Sequence, residues 1–341
     1  MKRAYVQATA WHVPEGELTN DDLARELGDW TAEKIFDKTG IRTRHIAAPD
    51  ECASDLGVAA AEKLFALDGC NREDVDYLIF CTQSPDYFMP SSSCVIQDRL
   101  GLRKNIAAVD VGQGCSGWVY GLSLAKSLVE AEVAQRVLLI TADTHSKVVG
   151  PRDRSVRTIF GDGAAATLIG GTGHDAQQEL VGPFLFGTDG SACKTILIPA
   201  GGYRQPMTDA ARIAREDKGG NWRSDANMYM DGPEVFNFTL NVVPRTVQQL
   251  LEKSGMTLEQ VDYFIFHQAN RFILDRLRAK IGIAPERFCI DMDWCGNTSS
   301  STIPIAFNRA VESGTIRSGM NVMAVAFGVG LSWAAAMIRV P

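Results

Sequence analysis

Apolar residues fall in two alternating patterns along this chain: short runs, and longer stretches in which they recur every three or four positions. The runs at 4–8, at Val75-Asp76-Tyr77-Leu78-Ile79-Phe80, at 106–111 and at 137–140 predict strands. The run at 137–140 is apolar throughout, as in a strand buried on both faces. Another strand opens within Gly161-Asp162-Gly163-Ala164-Ala165-Ala166. Between them the spacing turns helical. Thr19 caps a helix beginning Asn20-Asp21-Asp22-Leu23, where acidic residues suit the N-terminal end. Further helices are predicted at 32–38 (stopped by Gly40), at 54–66, at 92–100, and from 117 to about 132, with Leu122, Leu124, Ala125, Leu128 and Val129 on one face. The basic segment Gly40-Ile41-Arg42-Thr43-Arg44-His45 reads as a surface turn, or else as part of a rim for an anionic ligand.

The pattern then repeats. Val261-Asp262-Tyr263-Phe264-Ile265-Phe266 restates Val75-Asp76-Tyr77-Leu78-Ile79-Phe80, a step of 186 residues from Val75 to Val261. The same step carries Val137 into the apolar run Val322-Met323-Ala324-Val325-Ala326. It also carries Cys115 to Ser301, within the turn Cys295-Gly296-Asn297-Thr298-Ser299-Ser300-Ser301. Three landmarks in register indicate an internal duplication. Alternating strands and helices predict an α/β fold in which each half is a mostly parallel sheet with helical cover. The halves are placed at 1–175 and 176–341, divided near Gly170-Gly171-Thr172-Gly173-His174-Asp175. Residues 200–228 have no counterpart in the first half; polar and turn-rich, they read as a lid.

In such a unit ligands bind beyond the carboxyl ends of the strands. The first half has Gly112-Gln113-Gly114-Cys115-Ser116-Gly117 there, between a strand and a helix. Unpaired N–H groups and the field at a helix start favour an anion, so a thiol there is expected to ionise more easily. The plainer alternative is a small cysteine packed under a tight turn. In the second half, Phe266-His267-Gln268-Ala269-Asn270 leads into a helix through Lys280. Asp293-Trp294-Cys295-Gly296-Asn297-Thr298 precedes another, and Phe327-Gly328-Val329-Gly330 follows a strand. Taken singly, His267 suits a structural donor and Asn297 a helix cap. Facing halves would join these turns around one cavity. Cys115 would then take an acyl group from a thioester, with the N–H groups of Cys115 and the Gly328-Val329-Gly330 turn (Val329) receiving the oxyanion. His267 and Asn297 would hold a second thioester and the enolate formed as it loses CO2.

Composition narrows the class. The formal net charge of −7 argues against nucleic acid or an anionic membrane as partner. Eight cysteines without a C-x-x-C pair or histidines at ligand spacing make a zinc site unexpected. No run suits a signal peptide or a membrane span, so a cytoplasmic protein with reduced thiols is expected.

Together the motifs resemble the β-ketoacyl-acyl-carrier-protein synthase III family, condensing enzymes of the thiolase superfamily. The resemblance rests on Thr39-Gly40-Ile41-Arg42-Thr43-Arg44-His45-Ile46, Asp110 through Cys115-Ser116-Gly117, and Gly161-Asp162-Gly163-Ala164. It continues in His267-Gln268-Ala269-Asn270, Gly296-Asn297-Thr298-Ser299, and Phe327-Gly328-Val329-Gly330 with Trp333. It implies a five-layered αβαβα thiolase-like fold, a homodimer, and a triad of Cys115, His267 and Asn297. It further implies acyl transfer to the cysteine and decarboxylative condensation with malonyl-acyl-carrier protein, without a metal or redox cofactor. Lys38, Arg154, Arg271, Met89 and Phe327 fall at or beside substrate-binding positions.

Several positions depart from the family. Lys34 stands where a tryptophan stacks on the CoA adenine, with Trp30 one helical turn away as a weak substitute. Lys38 keeps the charge of a phosphate-binding arginine, and Arg154 matches the arginine across the adenine. Arg271 lies one residue from the carrier-docking arginine, whose own position is Phe272. The donor is thus an acyl-CoA or an acyl-acyl-carrier protein, with the departures favouring the carrier. Met89 occupies the position that reaches across the dimer into the partner's acyl pocket. Gln113 replaces a small apolar residue. These features point to a specialised paralogue. The competing readings are acyl transfer to an oxygen or nitrogen acceptor, a cysteine hydrolase, and a non-catalytic dimeric scaffold.

Overall fold

The computed structural model of the chain describes residues 2–172 and 179–341. Strand β1 (Ala4–His12) opens it, followed by a small hairpin of β2 (Gly16–Thr19) and β3 (Thr43–Ile46) with helices α1 (Asn20–Leu27) and α2 (Ala32–Thr39) between. Thr19 caps α1 as expected: its hydroxyl accepts from the Asp22 N–H, and the Asp22 carboxylate accepts from the Thr19 N–H, a reciprocal cap of the kind worth about 1 kcal/mol. The first half continues through α3 (Ala53–Phe65), β4 (Tyr77–Cys81), α4 (Ser92–Arg99), β5 (Ala107–Val111), α5 (Gly117–Glu130), β6 (Arg136–Asp143), the single turn α6 (Arg154–Arg157) and β7 (Gly163–Gly171).

The five-stranded sheet runs β1-β7-β6-β4-β5. Only β4 with β5 and β4 with β6 pair in parallel; β7 is antiparallel to both β6 and β1. The expected mostly parallel sheet is therefore mixed. An antiparallel pair needs no crossover helix, and the chain from β6 to β7 carries only short turns of helix.

The second half holds β8 (Val181–Thr188), the short pieces β9 (Ile196–Leu197), β10 (Arg215–Glu216), β11 (Trp222–Arg223) and β12 (Tyr229–Met230), then α7 (Gly232–Ser254), β13 (Tyr263–Phe266), α8 (Arg271–Ile281), α9 (Thr302–Glu312), β14 (Asn321–Gly328) and β15 (Ser332–Arg339). Its sheet, β8-β15-β14-β13, repeats the order and the strand directions of the first. The fifth strand is reduced to one parallel bridge, Phe264 with Phe288. The duplication read from the sequence is thus present in the topology. The proposed division at 175 falls among residues 173–178, outside the described residues.

Five layers result: α3 and α4, the first sheet, α5 with α9, the second sheet, and α7 with α8. Each interlayer space is an apolar core. The central one joins the halves, with Trp118 of α5 fully buried against Phe307 of α9 at a ring separation of 6.3 Å. The Trp118 indole N–H donates to Thr167 at 3.0 Å, so its one polar atom is satisfied inside the core.

One further expectation changes. The segment 40–45 is not a surface turn: Ile41 and Arg44 are completely buried. The Arg44 guanidinium donates to the Thr158 carbonyl, to the Asn20 side chain and to the Ile41 carbonyl, and burial lowers its pKa to about 9. A buried charge is tolerable when its donors are all used, and here it binds α1 to the turn after α6. Residues 200–228, read as a lid, are tied to the body of the protein near their far end. Trp222 donates its N–H to the Arg152 carbonyl at 3.3 Å, and Arg223 pairs with buried Asp153 at 2.5 Å. Among the described residues no helix is long and apolar enough to cross a membrane.

Candidate active site

Cys115 sits in the turn between β5 and α5, with α5 starting at Gly117. His267 follows β13 directly; Asn297 lies in the turn before α9, and Phe327 and Gly328 end β14. Because the halves face each other across α5 and α9, these turns meet. Cys115, His267, Asn297, Phe327 and Gly328 line one cavity of about 160 Å³, walled by Ile159, Phe160, Val235 and Ile273. A larger cavity of about 280 Å³ lies between the β2–β3 hairpin and the chain after β6; it shares Phe160 but does not reach the cysteine. Chemistry, not size, distinguishes the site.

The approach to the sulfur is close. A Cβ on Gly328 would lie 2.6 Å from Cys115 Sγ, so no side chain fits there without displacing the turn that carries the cysteine. The backbone N–H groups of Val329 and Cys115 favour the thiolate, and the Ser299 hydroxyl lies 4.0 Å from the sulfur. The expected ease of ionisation is nevertheless reversed. Burial pushes the thiol up to about 11, and the Asp143 carboxylate adds to the rise against the pull of those donors. Desolvation of a residue that is only 8% exposed outweighs a helix N-terminus. Asp143 is itself fully buried, accepting from Gln83 N–H at 2.8 Å and the Ser300 hydroxyl at 2.6 Å, which ties the two halves behind the cysteine.

His267 is 2% exposed, and burial lowers its pKa to about 3, so the ring is neutral at pH 7. Its Nδ1 lies 2.7 Å from the Thr302 hydroxyl, which in turn lies 3.0 Å from the Ser299 carbonyl. A carbonyl only accepts, so the hydroxyl proton goes to Ser299, Nδ1–H donates to Thr302, and Nε2 carries a lone pair. The same hydroxyl turned toward Nδ1 accommodates the other tautomer, with a donor at Nε2, once the ring has exchanged its proton through the cavity. Asn297 Oδ1 accepts from Ser299 N–H at 2.9 Å, which leaves its amide N–H₂ for the cavity it lines. Nothing in the sequence marked Thr302, and Ser299 entered only as a member of the Cys295–Ser301 turn and as the last residue of the Gly296-Asn297-Thr298-Ser299 motif.

The substrate-binding expectations divide. Phe327 lines the cavity, its ring edge-on to His267 at 5.5 Å. Ser155 lines it too, and the neighbouring Arg154 belongs to a cationic group around Trp30, whose ring has Lys34 at 5.0 Å, Lys38 at 5.4 Å and Arg154 at 5.9 Å. Trp30, judged a weak substitute from spacing, is therefore the centre of that group. Arg154 also pairs with Asp29 and donates to the Gly220 carbonyl of the 200–228 segment at 2.8 Å. Arg271 packs against Gly40 and pairs with Asp275 at 3.6 Å. Met89 is not among the cavity's lining residues; it is 78% exposed, beside Tyr87 and Phe88. Among the described residues no group of three or more histidine, cysteine or acidic side chains is placed to hold a metal.

Comparison with known proteins gives the family. The sequence profile of 3-oxoacyl-[acyl-carrier-protein] synthase III matches residues 109–190, and the profile of that family's C-terminal part matches 251–340. The chain is 36% identical to the β-ketoacyl-[acyl-carrier-protein] synthase III of Caldanaerobacter subterraneus over 336 residues, 98% of this chain and 97% of that protein. A crystal structure of a 3-oxoacyl-(acyl-carrier-protein) synthase III is 49% identical and superposes with a TM-score of 0.97, covering 99% of both chains. The Thermus thermophilus β-ketoacyl-[acyl-carrier-protein] synthase III is 36% identical, with a TM-score of 0.86 over 99% of both. A duplicated five-layer fold with a cysteine, a histidine and an asparagine turned to one cavity therefore belongs to the 3-oxoacyl-acyl-carrier-protein synthase III family, and the chain is a condensing acyltransferase of the thiolase fold.

Proposed function

We propose that the cavity runs a two-step transfer: an acyl group moves from a thioester onto Cys115 Sγ, then onto malonyl-acyl-carrier protein with loss of CO2, giving a 3-oxoacyl product. The observation that carries the reading is the meeting of Cys115, His267 and Asn297 in one cavity with the histidine held neutral. In the first step the thiol proton passes to the His267 Nε2 lone pair, and sulfur attacks the thioester carbonyl. The oxyanion is received by the N–H groups of Cys115 and Val329, and the donor thiol leaves with that proton. In the second step the malonyl thioester oxygen accepts from Asn297 and from Nε2–H of the other tautomer. As the carboxylate departs as CO2, its bonding pair becomes the enolate. The enolate carbon attacks the acyl carbonyl, and the Cys115 thiolate is expelled and takes a proton from solvent to restore the resting thiol. The Thr302 hydroxyl, free to turn between Ser299 and Nδ1, serves both steps. Intact mass measurement with acyl-CoA and acyl-carrier donors tests the reading: a gain of one acyl group, discharged as a 3-oxoacyl product on adding malonyl-carrier protein, is expected. An adduct that malonyl-carrier protein cannot discharge would favour an oxygen or nitrogen acceptor instead.

We further propose acyl-CoA as a competent donor, its nucleotide end held by Trp30, Lys34, Lys38 and Arg154. A ring with three cations suits a phosphorylated purine, which offers both a face and charge. Trp30→Ala is expected to raise KM for acyl-CoA about tenfold and to leave KM for acyl-carrier donors within about twofold. Equal effects on both donors would count against the assignment.

The working enzyme is proposed to be a homodimer. Strand β5 is an outer edge of the first sheet, and its own Val109, with Tyr87, Phe88 and Met89 of the loop before α4, are exposed apolar side chains, the features of a covered edge. Light scattering is expected to return twice the chain mass, and Met89→Glu to weaken both association and acylation. A fully active monomer would refute this.

A further inference from the structure

Two primary amides flank the nucleophile's turn, and the reaction above gives neither a task. Gln83 follows β4, its backbone fixed by the bond to buried Asp143. Its carboxamide lies directly on Gly114, the residue before Cys115. A Cβ there would collide with Oε1, come within 2.9 Å of Cδ, and meet Val329 Cγ1 at 2.5 Å. Glycine at 114 is what allows the amide to rest against the turn that carries the sulfur. Gln113 lies on the same turn, its carbonyl accepting from Cys81 Sγ at 3.2 Å. Its Oε1 is 3.5 Å from the Ser116 hydroxyl, but that hydroxyl has a better partner. Ser332 donates to the Val329 carbonyl at 2.8 Å, so the Ser116 proton goes to Ser332 Oγ, 2.8 Å away. Hydrogen accounting therefore leaves the Gln113 amide open. Among the described residues neither glutamine Nε2 makes a hydrogen bond. Gln83 is exposed and Gln113 half-buried, and neither lines the cavity of His267 and Asn297.

A hydrocarbon acyl group resting on this surface would strip water from two amides and return no bond, whereas an acyl group with its own oxygen would replace the lost water. We infer that Gln83 and Gln113 form an amide-lined seat for the acyl group on Cys115, selecting a short chain with a hydroxyl or oxo oxygen near the thioester carbon over its hydrocarbon isostere. The inference rests on the acyl-enzyme reading. The Gln113 substitution noted in the sequence gains a purpose from it.

The test compares isosteric pairs, 3-hydroxybutyryl with isovaleryl and lactoyl with isobutyryl, each presented as a CoA and as a carrier-protein thioester. The rate of mass gain on Cys115 is the readout. The oxygenated member of at least one pair is expected to acylate about tenfold faster, the size of one net hydrogen bond. Gln83→Met and Gln113→Met, which keep side-chain volume, are expected to bring that ratio toward one. The wild-type ratio stands on its own should a variant fail to fold. Equal rates in both pairs, a hydrocarbon preference, or a ratio unchanged in both variants overturns the inference and leaves the acyl-enzyme intact. No adduct from any thioester overturns the acyl-enzyme reading and the inference with it.

Discussion

Cys115→Ala is expected to abolish the acyl adduct with every donor and to lower condensation on the order of a thousandfold or more, as loss of a covalent nucleophile does. The substitution removes only a sulfur that fills the space beside Gly328, so the fold should survive, and unchanged circular dichroism would check this. The wild-type thiol carries a second signature. With its pKa pushed up to about 11, the thiolate is scarce at neutral pH and gains about tenfold per pH unit below that value. Alkylation of Cys115 by iodoacetamide, followed by peptide mass, should therefore keep rising beyond pH 9. A plateau near pH 7 would mean a resting thiolate and would refute the burial account. On the proposed mechanism the substrate brings about ionisation by carrying the carbonyl to the sulfur while His267 takes the proton.

Asn297→Ala separates the two steps. Acyl-enzyme is expected to accumulate, while its discharge by malonyl-carrier protein falls on the order of a hundred- to a thousandfold, the usual cost of losing one donor to a developing oxyanion. His267→Ala should slow both steps, since its Nε2 is acceptor in one and donor in the other. Thr302→Val should resemble a partial His267 loss, and Thr302→Ser should restore activity, because only the hydroxyl at 2.7 Å from Nδ1 is needed. The pH profile has a definite sign. A histidine whose pKa is lowered to about 3 stays neutral through the acid range, so no loss of condensation centred at pH 6.5 should derive from it. Asn297→Ala blocking adduct formation as strongly as discharge would contradict the assigned roles.

Much of this was legible in the letters. The step of 186 residues from Val75 to Val261 reappears as two sheets of the same strand order. Cys115, His267 and Asn297 stood out because strand–turn–helix junctions demand glycines and polar residues at short, fixed spacing. The helix boundaries held to within a few residues, since caps such as Thr19 and stops such as Gly40 act on their own neighbours. Strand directions did not follow from the pattern, because an apolar run looks the same in either direction.

What the chain by itself determined was local: which segments are strands and helices, that the second half restates the first, and which reactive side chains stand at junctions. Tertiary structure alone decided how those groups behave. The rise in the Cys115 pKa sums the desolvation of residues far apart in sequence, with Asp143 and Val329 among the contributors. Arg44 looked like a surface charge and is sealed among carbonyls because three separate segments close over it. Trp30 gained its cations from α2 and from Arg154 on α6, and His267 its tautomer from Thr302 on α9. Hydrogen bonding and periodicity act between near neighbours and can be read along the chain, whereas burial and electrostatics depend on every atom within reach in three dimensions.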